Sequence, residues 1–143
     1  MIYIASDHAG FELKQHLISF LQKRNVLLED LGPESNSSID YPDKAHLLAK
    51  RVLSKESSKG ILICGSGIGV SIAANRHKGI RAALCWTLDI ARLCREHNDA
   101  NVICLPARFV TEELAEQMVD IFFSTQFEGG RHEARVSKIE QGC

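Results

Sequence analysis

Short apolar runs alternate with amphipathic stretches along most of this chain. Five runs rich in aliphatic and β-branched residues predict strands, at residues 2–5, 26–29, 60–64, 81–86 and 101–105. Several of them, residues 61–64 most clearly, lack the polar alternation of a strand with one wet face. This pattern indicates parallel strands that are covered on both faces.

Between the predicted strands, apolar residues recur at the three- and four-residue spacing of helices that bury one face. Three stripes show this spacing most clearly: Leu13, Leu17 and Leu21; Ala45, Leu48 and Val52; Leu114, Met118 and Phe122. Pro42 suits a first helical turn, and Thr111 in front of two glutamates is a favourable helix cap. A last helical stretch is predicted over residues 131–140.

This alternation of strands and helices predicts an α/β fold. We expect one doubly wound, Rossmann-like domain over residues 1–143, with a five-stranded parallel sheet, helices on both faces and a C-terminal helix. The composition fits a folded globular protein, with 45% hydrophobic and 24% charged residues.

Charge and hydropathy exclude several function classes. The net charge of −1 gives no overall attraction to nucleic acid or to anionic lipid, so neither is an expected partner. Apolar runs stay far below the roughly 20 residues that span a bilayer, and the N-terminus does not resemble a secretory signal. The five cysteines form an odd set without a Cys-x-x-Cys pair, which predicts reduced thiols. We therefore expect a cytoplasmic protein.

Polar residues follow the first predicted strand. Ligands of doubly wound sheets bind beyond the carboxyl ends of the strands, so Asp7 and His8 are candidates for ligand contact. Asp7 is also a favourable helix cap, in which case His8 is simply solvated. The residues alone leave both interpretations open.

A glycine-rich loop follows the third predicted strand, which ends at Cys64. Gly65, Ser66, Gly67 and Gly69 let the backbone approach a ligand closely and point N–H groups at an anion. The spacing fits neither the dinucleotide fingerprint nor the Walker A loop, which needs a lysine. A thiolate is favoured at such a position, so the loop indicates a nucleophile or base.

The alternative for any strand cysteine is that it packs as a small hydrophobe. Cys85 and Cys104 fit that description better than the cysteine beside the glycine loop. In the same way, His97 and Asn98 suit an ordinary polar helix end, with Asn98 in a left-handed cap. His16, His46 and His77 are expected at the surface, and the sequence gives them no role.

A basic stripe lies in the last predicted helix. Arg131, Arg135 and Lys138 are spaced i, i+4 and i+7, so they share one face and repel one another by a few tenths of a kcal/mol per pair. A bound phosphate would relieve that repulsion, and Arg108 is a further candidate for the same anion. A solvated basic face is the other interpretation.

Taken together, these motifs resemble those of type B ribose-5-phosphate isomerases over nearly the whole chain, in the same order and spacing. The motifs are Asp7-His8-Ala9-Gly10, Asp40-Tyr41-Pro42, the segment 60–69, His97-Asn98-Asp99 and Gly129-Gly130-Arg131-His132 with Arg135. Related isomerases of allose and galactose 6-phosphates share much of this pattern. The chain departs from it at Ser66, where threonine is common, and at Pro106-Ala107.

The resemblance implies an aldose–ketose isomerase of the pentose phosphate pathway, which interconverts ribose 5-phosphate and ribulose 5-phosphate through a cis-enediolate. It implies that Cys64 is the base and that His97 opens the sugar ring. It assigns the enediolate to Ser66 and to the loop glycines Gly65, Gly67 and Gly69. Asp7 and Tyr41 would hold sugar hydroxyls or assist proton movement, with Asn98 in contact nearby.

By the same resemblance, His8, Arg108, Arg131 and Arg135 hold the phosphate, with His132 alongside. We expect no metal and no cofactor, because hydrogen bonds and dipoles can stabilise the oxyanion. A 6-phosphate sugar remains an alternative substrate, and a non-catalytic module that binds sugar phosphate is an alternative of another class.

Topology adds an expectation about assembly. Cys64 ends a strand, whereas His97 precedes one, so the two lie at opposite edges of a parallel sheet. A symmetric dimer can bring them together, in agreement with the resemblance, which implies active sites between subunits. We expect a homodimer with shared sites, or a tetramer built from it.

Overall fold

A five-stranded parallel sheet forms the centre of the protein, with strand order β2-β1-β3-β5-β4. The computed structural model describes residues 1–142, and Cys143 lies outside the described residues. The strands are β1 (Ile2–Ser6), β2 (Leu28–Asp30), β3 (Lys59–Cys64), β4 (Ala82–Leu84) and β5 (Val102–Pro106). The predicted parallel architecture is confirmed.

Helices cover both faces of the sheet. They are α1 (Phe11–Gln22), α2 (Tyr41–Ser54), α3 (Ile68–Ala74), α4 (Leu88–Glu96), α5 (Glu112–Ser124) and α6 (Arg131–Lys138). The apolar residues of α1, α4 and α5 bury one face of the sheet, and those of α2 and α3 bury the other. Across residues 1–142, no helix combines the length and apolar character that crossing a bilayer requires.

The middle strand, β3, has apolar neighbours on both sides. Ile61 and Ile63 point into the core under α1 and α5, while Leu62 and Cys64 point into the core under α2 and α3. Each buried aliphatic side chain contributes about 1.5–3 kcal/mol to folding. This double burial explains why the sequence of β3 lacks polar alternation, and it fixes where the strand ends.

The edge strand β4 is shorter than the predicted run 81–86, and the reason lies in its partners. Within residues 1–142 it pairs only with β5, and Trp86 already turns into solvent with half of its surface exposed. On the free edge, the side-chain amide of Asn75 replaces a strand. Its Oδ1 accepts a hydrogen bond from the N–H of Ala82 at 2.7 Å, and its Nδ2 donates to the Ala82 carbonyl at 2.9 Å.

Two other predicted boundaries shift by two residues, and two predicted helix signals are confirmed. Strand β2 begins two residues later than the run 26–29 suggests, and α6 ends two residues before 140. Pro42 lies in the first turn of α2, and the Thr111 hydroxyl accepts a hydrogen bond from the N–H of Leu114 at 3.1 Å.

A buried charge anchors the segment between β2 and α2. Lys14 of α1 is fully buried, and its Nζ lies 2.7 Å from Oδ2 of Asp30 at the end of β2. Oδ1 of the same aspartate accepts a hydrogen bond from the N–H of Gly32 at 2.8 Å. The Gly32 carbonyl in turn accepts from the N–H of Ser6 at the end of β1. The ion pair therefore sets the direction in which residues 32–40 leave the sheet.

Two histidines expected at the surface are half-buried and bonded to each other. Nδ1 of His46, on α2, lies 2.7 Å from Nε2 of His77, which follows α3. Burial, followed by the positive charges of His46 and Lys50, lowers the pKa of His77 below its usual 6.5. Protonation of both rings would remove the hydrogen bond between them.

This pair makes the stability of the fold sensitive to acid. Since the pKa of His77 is lower in the folded than in the unfolded chain, the unfolded chain takes up the proton first as pH falls. Its contribution to the free energy of unfolding is complete above about pH 6.5 and is lost as pH falls through the lowered value. Urea unfolding between pH 7.5 and 5.0 will therefore show a smaller acid-induced loss of unfolding free energy for His77→Gln than for the unaltered protein. A loss of equal size in both would contradict this, and His16→Gln is the matched control.

Candidate active site

A cleft of about 280 Å³ opens where β1, β3 and β5 end. Its lining consists of Asp7, His8, Ala9, Tyr41, Cys64, Gly65, Ser66, Gly69 and Arg108. All of them except Ala9 are site residues predicted from the sequence. The carboxyl ends of parallel strands meet at one edge of a sheet, which explains why such distant residues converge.

Asp7 follows β1, and its position is compatible with both alternatives that the sequence left open. Its carboxylate accepts a hydrogen bond from the N–H of Gly10 at 3.0 Å, which supports the start of α1, and the residue also lines the cleft. Gly10 is required there, because a Cβ would lie 2.7 Å from the Ile63 carbonyl oxygen. The close contact holds the buried carboxylate beside the end of β3.

His8 is oriented by the segment that precedes α2. Its Nδ1 lies 3.3 Å from the backbone nitrogen of Ile39, whose N–H donates to it. In the neutral ring the proton then resides on Nε2, which leaves that atom as a donor. The half-buried ring therefore presents an N–H group that can bind an anion in the cleft.

The cysteine at the end of β3 is held by the loop that follows it. Sγ of Cys64 accepts a hydrogen bond from the N–H of Gly67 at 3.1 Å, a contact that a thiolate accepts more strongly than a thiol. Gly67 adopts a φ of +71°, and a Cβ there would lie 2.4 Å from Cδ1 of Leu84. Gly67 does not line the cleft, and its N–H is turned toward the sulfur, so its contact with substrate stays a prediction.

The same loop supplies further donors. Within residues 1–142, the backbone N–H groups of Gly65, Ser66 and Gly69 make no hydrogen bond. The ring of Tyr41 lies against Gly69, where a Cβ would be 2.6 Å from the ring atoms. Unpaired N–H groups beside a thiol can stabilise negative charge that develops on a substrate oxygen.

Arg108 completes the cleft from the end of β5. The N–H of Ala107 donates to the Cys64 carbonyl at 2.9 Å, and the N–H of Arg108 donates to the Gly65 carbonyl at 3.1 Å. The guanidinium lies over Gly65, where a Cβ would be 3.0 Å from Nη1. In the described part of the chain it has no carboxylate within 4.0 Å. The segment Pro106-Ala107 therefore leaves this cation at the cleft and without an acidic partner.

Five predicted site residues lie elsewhere: His97, Asn98, Arg131, His132 and Arg135. His97 ends α4, and its ring stacks on that of His132 with centroids 4.2 Å apart and planes at 14°. Nε2 of the buried His132 lies 3.2 Å from a carboxylate oxygen of Glu128. These three groups offer ligand atoms within 4.8 Å of one another. However, near-parallel rings direct their nitrogen lone pairs side by side rather than toward one ion, so the arrangement does not favour a tetrahedral metal site.

The turn after His97 differs from the expectation. Asp99, and not Asn98, adopts the left-handed conformation, with a φ of +46°. Two guanidinium groups explain this, because Arg95 and Arg81 lie 2.8 and 3.1 Å from the two carboxylate oxygens of Asp99. Asn98 is left exposed on the surface.

Sequence reasoning missed two residues, Arg95 and Glu128, that support the turn after His97 and the stacked ring of His132. Arg95 is almost fully buried and binds Asp99 and the carbonyls of Ala100 and Thr125. Glu128 contacts His132 and is tied to α4, since its N–H donates to the Glu96 carbonyl. The i, i+4 spacing of Arg95 with Asp99 and of Glu128 with His132 was the available signal.

The basic stripe of α6 is exposed and free of acidic partners. Arg131 and Arg135 have no carboxylate within 4.0 Å among residues 1–142. A helix face with like charges and no counter-ion favours the binding of an anion. Arg131 directly precedes His132, whose ring stacks on His97, and neither Arg131 nor Arg135 lines the cleft.

Within one chain, the cleft that contains Cys64 and the cluster of His97, Glu128 and His132 are too far apart to contact one small sugar phosphate. Cys64 is in register with Pro106 at the end of β5, whereas Gly60 is in register with Val102 at its start. Four residues of strand separate those levels by about 13 Å. The residues that follow the fifth strand and those that precede it therefore belong to opposite edges of the sheet.

Comparisons with known proteins identify the family of this chain. The pattern of the family described as Ribose/Galactose Isomerase matches residues 2–139. The chain belongs to this family. It is 52% identical to the probable ribose-5-phosphate isomerase B of Mycoplasma pneumoniae, over 96% of this chain and 91% of that protein.

Solved structures of family members have the same fold. The ribose 5-phosphate isomerase of Thermotoga maritima superposes with a TM-score of 0.96 and 53% identity, over 98% of this chain and 97% of that one. Ribose-5-phosphate isomerase B of Mycoplasma genitalium, with bound ribulose-5-phosphate, gives a TM-score of 0.94 and 45% identity over 99% and 94%. The resemblance read from the motifs is thereby confirmed at the level of the family.

The cleft predicts how three of the thiols, those of Cys64, Cys85 and Cys104, rank in their reaction with an alkylating agent. Iodoacetamide will label Cys64 ahead of Cys85 and Cys104, because both others are fully buried and have raised pKa values. The pKa of Cys85 is raised mainly by its hydrogen bond to Cys94, and the pKa of Cys104 is raised mainly by burial. Peptide mapping after partial labelling, with and without sugar phosphate, measures the order and the protection. Labelling without preference would show that the cleft does not activate its thiol.

Proposed function

We propose that this chain interconverts ribose 5-phosphate and ribulose 5-phosphate. The observation that carries the proposal is the cleft itself, in which a thiol, unpaired N–H donors and a free guanidinium converge. The named activities of the relatives support this substrate, and one relative binds the ketose product. From the substrate we also infer a role in the pentose phosphate pathway, in the cytoplasm.

Proton transfer is the step that Cys64 performs. As a thiolate it removes the proton from C2 of the open aldose, and the C–H electrons form the double bond of a cis-enediolate while the carbonyl oxygen becomes negative. Return of the proton to C1, together with loss of the proton on the C2 hydroxyl and protonation of the C1 oxygen, gives the ketose. Gly65, Ser66 and Gly69 line the same cleft as Cys64, and their unpaired N–H groups stabilise the oxyanion, so that hydrogen bonds take the place of a Lewis acid.

The rest of the cleft positions the sugar. Asp7 and Tyr41 hold hydroxyl groups or carry protons between them, as the motif resemblance implies. His8, through Nε2–H, and Arg108 bind the phosphate from this chain. Such contacts hold the ground and transition states alike, and they determine the affinity for phosphorylated sugars.

A second copy of the chain completes the site. His97, which opens the ring, and the phosphate ligands Arg131 and Arg135 lie at the far edge of the sheet, so a symmetric dimer supplies them to the partner's cleft. Exposed apolar side chains on α3 and after β4 and β5 provide a surface for such a contact. They are Ile68, Ile72, Trp86 and Phe109.

The substrate is tested by comparing five- and six-carbon sugar phosphates. The unaltered protein will isomerise ribose 5-phosphate with a higher kcat/KM than allose 6-phosphate or galactose 6-phosphate. Cys64→Ser will lower kcat by about three orders of magnitude while ribose 5-phosphate still binds, because a hydroxyl ionises far less readily than a thiol. Coupled spectrophotometric assays and binding calorimetry measure the two effects.

Cys104→Ser is the matched control, since it changes a buried cysteine of the same sheet outside the cleft. Near-normal turnover of Cys64→Ser would remove this thiol from the mechanism. A preference for a 6-phosphate would reassign the substrate within the family, and binding without turnover by the unaltered protein would favour the non-catalytic module.

Mixing two inactive variants tests the shared site. Cys64→Ala and His97→Ala will each be nearly inactive, but refolding them together in equal amounts will restore about a quarter of full activity. Half of the dimers will then be mixed, and each mixed dimer has one intact site out of two. If native mass spectrometry shows mixed dimers while activity stays at the level of the single variants, both residues act within one chain.

A further inference from the structure

Two thiols outside the cleft contact each other, and the proposed mechanism uses neither. Cys85 follows β4 and Cys94 lies in the last turn of α4, with their sulfur atoms 3.8 Å apart. Cys85 is fully buried and donates its S–H to Cys94, which retains 7% of its surface exposure. The pair is thus enclosed, with a small opening on the side of Cys94.

The two sulfurs differ in chemical character. The hydrogen bond from Cys85 lowers the pKa of Cys94, and the neighbouring Arg95 guanidinium acts in the same direction, against the effect of burial. The same hydrogen bond, together with burial, raises the pKa of Cys85. A thiolate is the form that reacts with peroxides, and a neighbouring thiol can resolve the product. The contact therefore places a reactive sulfur beside a resolving one.

We propose that Cys85 and Cys94 form a reversible intramolecular disulfide when the protein meets a hydroperoxide. The Cys94 thiolate attacks one peroxide oxygen, the O–O bond breaks and hydroxide leaves, which gives a sulfenic acid. The sulfur of Cys85 then attacks the Cys94 sulfur, the S–S bond forms, the S–O bond breaks and water leaves. Overall the two thiols lose two hydrogens and two electrons, and hydrogen peroxide is reduced to two waters.

Distance favours this pair over other thiols in the fold. The sulfurs must approach from 3.8 Å to about 2.05 Å, a shift that side-chain rotation and a small movement of α4 can supply. Cys104 is fully buried, and within residues 1–142 it forms no sulfur–sulfur hydrogen bond. In the described chain, no other two cysteines form a sulfur–sulfur hydrogen bond.

Trypsin separates the relevant cysteines, which makes the test direct. Cleavage after Lys59, Arg76, Arg81, Arg92, Arg95 and Arg108 places Cys64 in 60–76, Cys85 in 82–92, Cys94 in 93–95 and Cys104 in 96–108. After treatment of the native protein with hydrogen peroxide and non-reducing digestion, peptides 82–92 and 93–95 will appear joined, two hydrogens lighter than their sum. Dithiothreitol will restore the separate peptides.

Matched variants assign the two roles. Cys104→Ser will leave the joined peptides unchanged, whereas Cys85→Ser will abolish them and leave a sulfenic acid on Cys94 that dimedone traps. Three outcomes would overturn the proposal. Cys94 could be oxidised further without any disulfide to Cys85, or a disulfide could join Cys64 and Cys104. In the third outcome, Cys85 and Cys94 stay reduced while Cys64, in peptide 60–76, is oxidised. The measurement reads mass and not turnover, so its outcome is independent of the proposed isomerase activity.

Discussion

The hydrogen-bonded position of β3 between β1 and β5 is the constraint on which the rest of the protein depends. Because β3 is buried on both faces, its register with both neighbours is fixed along its length. Three strand ends therefore lie at one level, and the residues that follow them share a cleft. A slip by one residue would turn Cys64 from the α2 and α3 side of the sheet to the opposite side.

Backbone hydrogen bonds beyond the strand ends fix the positions of the residues that line the cleft. The N–H of Asp7 donates to the Ile63 carbonyl, and the segment after β5 donates to the carbonyls of Cys64 and Gly65. Contacts of the side chains then set only how each side chain is oriented, as the hydrogen bond from the N–H of Ile39 to the His8 ring shows. A site held mainly by main-chain groups tolerates changes such as Ser66 and Pro106-Ala107, where this chain departs from the common motif.

Local patterns predicted the fold class, the central strands, two helix signals and most of the cleft, because each depends on neighbouring residues or on the strand-end rule. The length of β4 was not predictable, since it depends on Asn75 and on the position of β4 at the edge of the sheet. The burial of Lys14 was also missed, because its partner Asp30 lies on another element. The roles of individual residues stay predictions until the variants are measured.

Asn75 limits how copies of this chain can associate. Its amide occupies both backbone groups of Ala82 on the outer edge of β4, where an additional strand would otherwise pair. Growth of the sheet from one molecule into the next is therefore blocked at that edge, which guards against fibrous stacking. Association across the β4 edge has to rely on side chains, and side-chain surfaces can be matched to a two-fold axis so that the assembly closes and stops.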